Sequence, residues 1–179
     1  MERDEFLLKT GAGIATAVTA PFAGNFFVKR LSQKNMQVKL VRNKEGEKLN
    51  VLGDNMTVKL TGEATDGQYV FIEENNEPGI GIPLHVHEHE DEIFRVAEGH
   101  LEVQVADMKT VLGPGDMAFC PRAIPHAWRV VGDKTATVNL SVFPAGLEEM
   151  FKELSQLPEG PPDMGEVTRI CGEYGVKFV

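Results

Sequence analysis

Histidine dominates the part of the sequence that could carry chemistry. All five histidines lie between positions 85 and 126, and three of them alternate with other residues in the segment Pro83-Leu-His-Val-His-Glu-His89. On a β-strand, residues two apart project from the same face, so His85, His87 and His89 can converge on one point. Protonated imidazoles would repel one another there, whereas a metal cation gathers them as neutral ligands. The spacing therefore predicts a metal site.

The neighbours of this histidine row have more than one interpretation. His89 either replaces one of the ligands or lies beside the site or at the surface, and we expect the second because it is nearer the following turn. Glu88, Glu90 and Asp91 form either an acidic gate for a substrate or a solvated strand end. We expect the solvated strand end. His100 lies out of phase with the apolar residues after it and should face solvent.

Two segments carry motifs that resemble those of the cupin superfamily, G-x5-H-x-H-x4-E-x6-G and G-x5-P-x-G-x2-H-x3-N. The first motif is matched throughout, by Gly79, His85, His87, Glu92 and Gly99. The second is matched by Gly115, Pro121 and His126. It departs at two positions, with Ala123 in place of the second glycine and Val130 in place of the asparagine.

This resemblance implies a metal site with three histidines and one carboxylate. Its ligands would be His85, His87, Glu92 and His126. Imidazole and carboxylate suit one divalent transition metal, whether Fe, Mn, Ni, Co, Cu or Zn. Val130 removes a polar group that the motif usually supplies, so a more apolar pocket should follow. Trp128 and Val130 share the parity of His126, and they either line this pocket or fill the barrel.

The resemblance also implies an activity. The segment from Phe71 to His87 and the tail from Phe143 to Phe178 are most similar to the quercetin 2,3-dioxygenase-like group of single-domain cupins. In such enzymes the metal holds a deprotonated hydroxy-ketone or enol, and the glutamate ligand can accept the proton. A metal-dependent dioxygenase acting on a flavonol-like or other enol-bearing small molecule is implied, with Glu92 as the catalytic base.

Two other functions stay open beside this one. The first is a non-catalytic cupin that binds a small molecule through the same metal. The second is a metal-dependent isomerase or lyase. It needs an additional acid or base, for which the sequence offers no obvious candidate apart from His89.

Short strands must position the candidate ligands. From about Gln37, apolar residues alternate with polar ones, which predicts strands with one buried face. The alternating sets are Val38 and Leu40; Met56, Val58 and Leu60; Leu101, Val103 and Val105; and Ala136, Val138, Leu140 and Val142. Turn signals such as Gly53-Asp54-Asn55 separate them. Together with the resemblance, this predicts an all-β fold, the cupin double-stranded β-helix or jelly-roll barrel, with its core at about residues 37–143.

Helices follow the barrel, at about residues 145–175, within a cupin domain expected to span residues 31–179. The stripe Leu147, Met150, Phe151 and Leu154 has helical spacing. A second helix is expected from Asp163, which with Glu166 has the capping-box spacing. Met164, Val167 and Cys171 should face inward. A short final strand is expected after Gly175.

Residues 1–30 are interpreted either as an export signal or as an ordered N-terminal arm. Arg3, Phe6, Leu7 and Lys9 resemble the twin-arginine pattern, although Asp4 stands where its second arginine would be. The uncharged stretch from Thr10 to Val28 is rich in Gly, Ala and Thr and is interrupted by Pro21, so no stable membrane span is expected. We expect export to the periplasm, with a cytoplasmic location as the alternative.

Composition limits the partners. Eighteen basic and 27 acidic side chains give a net charge of −9, which opposes binding to nucleic acid. Cys120 and Cys171 are far apart and are expected to be packing residues, with a disulfide open only in an oxidising compartment. The expected partners are a small-molecule ligand and a second copy of the chain. For this homodimer, 38–41 and the first C-terminal helix are the candidate surfaces; a monomer is the alternative.

Overall fold

A computed structural model describes residues 38–158 and 160–179. The segment 1–30 lies outside the described residues, so the export signal stays a prediction. Within the described ranges, no helix is both long and apolar enough to cross a bilayer.

Eleven strands of the described chain form two antiparallel sheets. They are β1 (Glu47–Val51), β2 (Asp54–Leu60), β3 (Val70–Asn76), β4 (Gly81–His87), β5 (Asp91–Glu98), β6 (His100–Val105), β7 (Met108–Leu112), β8 (Met117–Cys120), β9 (His126–Val131), β10 (Ala136–Phe143) and β11 (Val176–Phe178). The strand orders are β1-β2-β3-β10-β5-β8 and β11-β4-β9-β6-β7. This confirms the predicted all-β jelly-roll barrel with C-terminal helices.

Strand β10 shows why the alternating pattern specifies this fold. It lies between β3 and β5 in the first sheet, and its four alternate residues Ala136, Val138, Leu140 and Val142 are at most 2% exposed. Each larger side chain among them contributes roughly 1.5–3 kcal/mol through burial. The intervening residues are only partly buried, so one face of the strand belongs to the core.

The segment before β1 differs from expectation. Val38 and Leu40 are 98% and 90% exposed, and residues 38–46 contain no strand. Two alternating apolar residues therefore did not suffice to form a strand here, because no strand of the described residues pairs with this segment. The described barrel begins at Glu47 rather than near residue 37.

Three helices complete the described chain: α1 (Gly62–Thr65), α2 (Leu147–Ser155) and α3 (Met164–Glu173). The stripe Leu147, Met150, Phe151 and Leu154 is buried, as predicted. This face packs inside the chain, so only the other face of α2 is available for the predicted dimer, which stays a prediction.

Helix α3 begins as expected, with Asp163 accepting a hydrogen bond from the Gly165 amide at 2.9 Å. Val167 and Cys171 are buried, but Met164 is 53% exposed, so its inward orientation was wrong. Met164 is the first residue of the helix, and the buried face begins one turn later with Val167. The final strand β11 pairs with β4, which places the end of the chain beside the histidine-bearing strand.

Candidate metal centre

The four predicted ligands come together inside the barrel. His85 and His87 lie on β4, Glu92 lies on β5 and His126 begins β9. One ligand atom from each residue lies within 4.8 Å of the others, and all four side chains are buried. The sequence motifs therefore identified a cluster that could hold a metal ion.

Both sheets contribute to this cluster. Strands β4 and β9 pair with His85 directly opposite His126, and the two ring centroids are 4.3 Å apart. Glu92 comes from the other sheet and brings its Oε2 to 3.0 Å from Nε2 of His126. The cluster thus links the two sheets, so the fold fixes its geometry.

Backbone carbonyls orient two of the imidazoles. Nδ1 of His85 donates to the Pro83 carbonyl at 2.8 Å, and Nδ1 of His126 donates to the Ile124 carbonyl at 3.2 Å. A carbonyl can only accept, so the proton of each neutral ring is on Nδ1 and the lone pair is on Nε2. Histidines that bind metals are oriented by contacts of this kind.

The remaining contacts fit a cation. The Nε2 lone pair of His126 faces Glu92 Oε2, and two electron-pair donors at that distance require a proton or a cation between them. Both ring nitrogens of His87 are buried without a hydrogen-bond partner, although buried polar atoms are normally paired. Three imidazoles and one carboxylate are ligands that suit a divalent transition metal.

Electrostatics favour the protonation states that metal ligands need. Burial and the nearby His126 lower the pKa of His85 to about 4. Burial would raise the pKa of Glu92, but contact with His126 and the nearby His87 outweigh it, so this pKa falls below its usual value. The carboxylate is therefore ionised and His85 is neutral at neutral pH.

His87 is less favourably poised for ligation. Burial would lower its pKa, but the carboxylates of Glu90 and Glu92 outweigh burial and raise it. Their Oε2 atoms lie 3.7 Å from Nδ1 and 3.9 Å from Nε2, respectively. Because a metal ligand must be deprotonated, a metal has to compete with a proton at this ring.

A cavity of about 70 Å³ adjoins the cluster and is lined by His85, His87 and Glu92. Its walls are otherwise mainly apolar and include Phe94, Trp128, Leu140, Met150, Phe151 and Phe178. Trp128 therefore lines the pocket, whereas Val130 lies in the hydrophobic core. An apolar pocket agrees with the expectation from Val130, although other residues form its walls.

The residues around the histidine row divide between surface and interior. The side chain of His89 is 65% exposed, and Glu88 pairs with Lys177 at the surface, as expected. Asp91 accepts from the Arg122 guanidinium at 2.7 Å and 3.0 Å. Glu90 differs, because it is only 7% exposed and faces His87. The solvated strand end was therefore the wrong interpretation for Glu90.

The sequence interpretation missed two carboxyl side chains in the same cavity, Asp54 and Glu74. Asp54 belonged to a predicted turn, but it begins β2 and is 1% exposed, as is Glu74. Strand parity was the available signal, because Glu74 alternates in phase with the buried Val70 and Ile72 on β3. Likewise, Asp54 is in phase with Met56.

Comparison with known proteins agrees with this geometry. Residues 71–143, which span β3 to β10 and all four candidate ligands, match the family model described as "Cupin domain". This segment is a cupin domain. Membership of this family explains why the two histidine motifs and the jelly-roll barrel occur together.

A curated relative matches across 103 residues at 29% identity, the quercetin 2,3-dioxygenase of Bacillus subtilis. The match covers 58% of this chain and 31% of that enzyme, so the matched segment corresponds to about a third of the relative's length.

Two solved structures share the cupin fold. KdgF from Halomonas sp. has 20% identity and a TM-score of 0.56, with 63% of this chain and 99% of that chain covered. A predicted oxalate decarboxylase from Thermotoga maritima has 23% identity and a TM-score of 0.54, with 59% of this chain and 99% of that chain covered. At these identities the likeness shows the fold alone.

Proposed function

We propose that this cupin is a metal-dependent dioxygenase that cleaves a compact, enol-bearing small molecule. The observation that carries the proposal is the buried convergence of His85, His87, Glu92 and His126 on one point beside an apolar cavity. The match to a quercetin 2,3-dioxygenase supports the reaction class. A divalent transition metal held by these residues would supply a Lewis acid that favours the deprotonated enol.

In this proposal Glu92 is the catalytic base. Its carboxylate is ionised and lines the cavity, so it can take the proton of a substrate hydroxyl at hydrogen-bond distance. The O–H bond of the substrate breaks, and its proton moves to the carboxylate while the negative charge spreads over the enolate. The same proton can return to the product.

The cavity walls also contribute. Phe94, Trp128 and Leu140 surround the ligand space with apolar surface, which excludes water and protects an electron-rich enolate from quenching. The volume of about 70 Å³ suits a compact substrate. A small hydroxy-ketone or enediol has this size and carries the enol that the proposal requires.

One observation favours a second candidate, a metal-dependent isomerase or lyase. Such a reaction needs an acid or base besides the ligand glutamate, and Asp54 and Glu74 place two carboxyl groups in the same cavity. Oxygen consumption separates the two candidates, because isomerisation and elimination proceed without dioxygen.

Metal content tests the site. Wild-type protein should retain about one transition metal per chain, while His87→Ala and His126→Ala should lose most of it. His89→Ala is the matched control, since that ring is exposed on the same segment. Full metal retention by both ligand variants would refute the site.

Oxygen uptake tests the reaction. With small enediols, the metal-loaded wild type should consume dioxygen, and Glu92→Gln should retain part of the metal but lose turnover because the base is gone. Tight substrate binding without oxygen consumption under any metal reconstitution would instead identify a non-catalytic binding protein. Product formation without oxygen would identify the isomerase or lyase.

A further inference from the structure

The cavity contains two carboxyl groups that the four-residue cluster does not use. Asp54 on β2 and Glu74 on β3 are each 1% exposed, and both line the cavity together with His85, His87 and Glu92. Both carboxyl oxygens of Glu74 and Oδ2 of Asp54 are buried without a hydrogen-bond partner. Buried polar atoms are paired in roughly nine of ten cases, so three unpaired oxygens in one cavity indicate a polar ligand.

Their surroundings define the charge of that ligand. Among the described residues that line the cavity there is no lysine or arginine, and Asp54 Oδ1 accepts from the Asn76 amide at 2.6 Å. An ionised carboxylate without a counter-charge is costly in an apolar cavity, so burial favours the protonated forms, most strongly at Glu74, whose two oxygens have no hydrogen-bond partner. Burial accordingly raises the pKa of Asp54 to about 6 and that of Glu74 well above its usual value. A protonated carboxyl both donates and accepts, which matches a hydroxyl group.

The cavity is small enough for one ligand to reach both the histidine cluster and the two carboxyl groups. Its volume is about 70 Å³, space for about five water molecules, since one water needs about 10–15 Å³ of cavity volume. A ligand that fills so small a space lies against both the histidine cluster and the two carboxyl groups. A compact molecule with polar groups at both ends is therefore required.

We propose that Glu74, supported by Asp54, binds a hydroxyl group at one end of a compact, uncharged hydroxy-carbonyl ligand. The hydroxyl and carbonyl oxygens at the other end of the ligand face His85, His87, Glu92 and His126. The orientation of that second end rests on the proposed function. Glu74 is thus a specificity residue that selects ligands bearing an additional hydroxyl.

Calorimetry with two probes tests this assignment. Dihydroxyacetone and hydroxyacetone share the hydroxy-ketone group and differ only in the hydroxyl at the far end. Purified wild type should bind dihydroxyacetone about three- to tenfold more tightly, as expected for one net hydrogen bond. Glu74→Leu should bind both probes equally, while Glu74→Gln, which can still donate and accept, should keep a preference. Glu73→Leu is the control, because Glu73 is a neighbouring carboxyl on the other face of β3 that pairs with Lys59.

Each outcome decides the assignment. Equal affinity of the wild type for both probes, a preference that survives in Glu74→Leu, or binding of neither probe at millimolar concentration would overturn it. A preference lost equally in Glu73→Leu would also overturn it. Failure of the proposed function is distinguishable, because it shows as metal-loaded wild type that consumes no dioxygen with small enediols. Calorimetry still gives the ratio of the affinities for dihydroxyacetone and hydroxyacetone on such a protein.

Discussion

Single contacts determine how each imidazole of the cluster is oriented. Backbone carbonyls bind Nδ1 of His85 and His126, whereas Nδ1 of His87 has only the Glu90 carboxylate in front of it, at 3.7 Å. A movement of a few tenths of an ångström would turn this approach into a hydrogen bond. Glu90 is therefore a positioning residue for His87, since contacts of this type fix the ring and increase its basicity.

We predict that Glu90→Leu weakens metal binding about ten- to hundredfold. The physical reason is that Nδ1 of His87 then loses the group that holds its proton and orients its ring. Competition with a chromogenic chelator measures the affinity. Glu88→Leu is the matched control, because Glu88 pairs with Lys177 at the surface. Equal affinities of the two variants would contradict the positioning role.

Ala123 shows what a departure from the motif does to the backbone. The second cupin motif has glycine here, and Ala123 retains the left-handed conformation, with φ of 61°. Its amide still donates to the His87 carbonyl at 2.7 Å, so this turn supports the ligand-bearing strand. A Cβ atom makes this conformation costly by roughly 1–2 kcal/mol.

Ala123→Gly should therefore stabilise the protein, by about 0.5–1 kcal/mol after the greater freedom of glycine in the unfolded chain is subtracted. Urea denaturation measures this gain in unfolding free energy. Ala127→Gly, in regular strand β9, is the control and should destabilise. A loss of stability in Ala123→Gly would contradict the strain argument.

At the level of secondary-structure elements, the sequence predicted the strands and helices in which the spacing of apolar residues matches the buried face. Strand β10 and helix α2 have apolar residues at the spacing of one buried face, and the His and Glu spacing located the cluster. Val38 and Leu40 misled because a strand also needs a hydrogen-bonded neighbour. The sequence did not identify Asp54 and Glu74 as cavity residues. Carboxylate side chains are usually assigned to the surface, whereas these two lie on a buried face.

The last strand of the chain covers the strand that carries two ligands. In the β11–β4 pair, Phe178 is opposite His85 and Val176 is opposite His87. Val176 and Phe178 also line the cavity. Without β11, the β4 strand would become an unpaired edge open to water.

A chain shortened to end at Gly175 should therefore lose metal affinity and exchange its β4 amide protons faster. Hydrogen exchange followed by mass spectrometry measures the second effect, and chelator competition the first. The control is a chain that lacks only Val179, which loses a single backbone hydrogen bond, to the Leu84 carbonyl. Unchanged exchange in β4 of the shorter chain would show that β11 does not protect the site.

At the scale of the whole molecule, the homodimer remains a prediction, but the structure suggests a different surface. Strand β8 is at the edge of its sheet and exposes Met117 by 54% and Phe119 by 53%. Unpaired edges that carry apolar side chains are commonly covered in assemblies, and twofold dimers are the commonest of these.

Light scattering should accordingly give the mass of two chains, and Phe119→Lys should shift it to that of one chain. Met164→Lys is the control, because Met164 is equally exposed on helix α3. A wild-type mass of one chain that is unchanged on concentration would exclude the dimer. A dimer unaffected by Phe119→Lys would place the interface elsewhere.

The buried carboxyl groups make the stability of the whole metal-free protein dependent on pH. Burial raises the pKa of Asp54 from 3.8 to about 6 and raises that of Glu74 well above 4.5. The folded state therefore holds these protons more tightly than the unfolded state. Their contribution is fully present below the unfolded pKa values and is lost as pH rises through the folded ones. Asp91 acts in the opposite direction, since contacts with Arg122 lower its pKa to about 2, and its contribution is lost only in acid.

The double variant Asp54→Asn, Glu74→Gln isolates this effect, because it keeps the shape of both side chains and removes their titration. Between about pH 4 and pH 7, the unfolding free energy of the wild type should fall relative to the variant, by about 2–3 kcal/mol from Asp54 alone and by more when Glu74 is added. Urea denaturation of chelator-treated protein across this range measures the difference between the two proteins, both of which retain the histidine cluster. A difference that stays constant with pH would mean that neither carboxyl group holds its proton more tightly in the folded state.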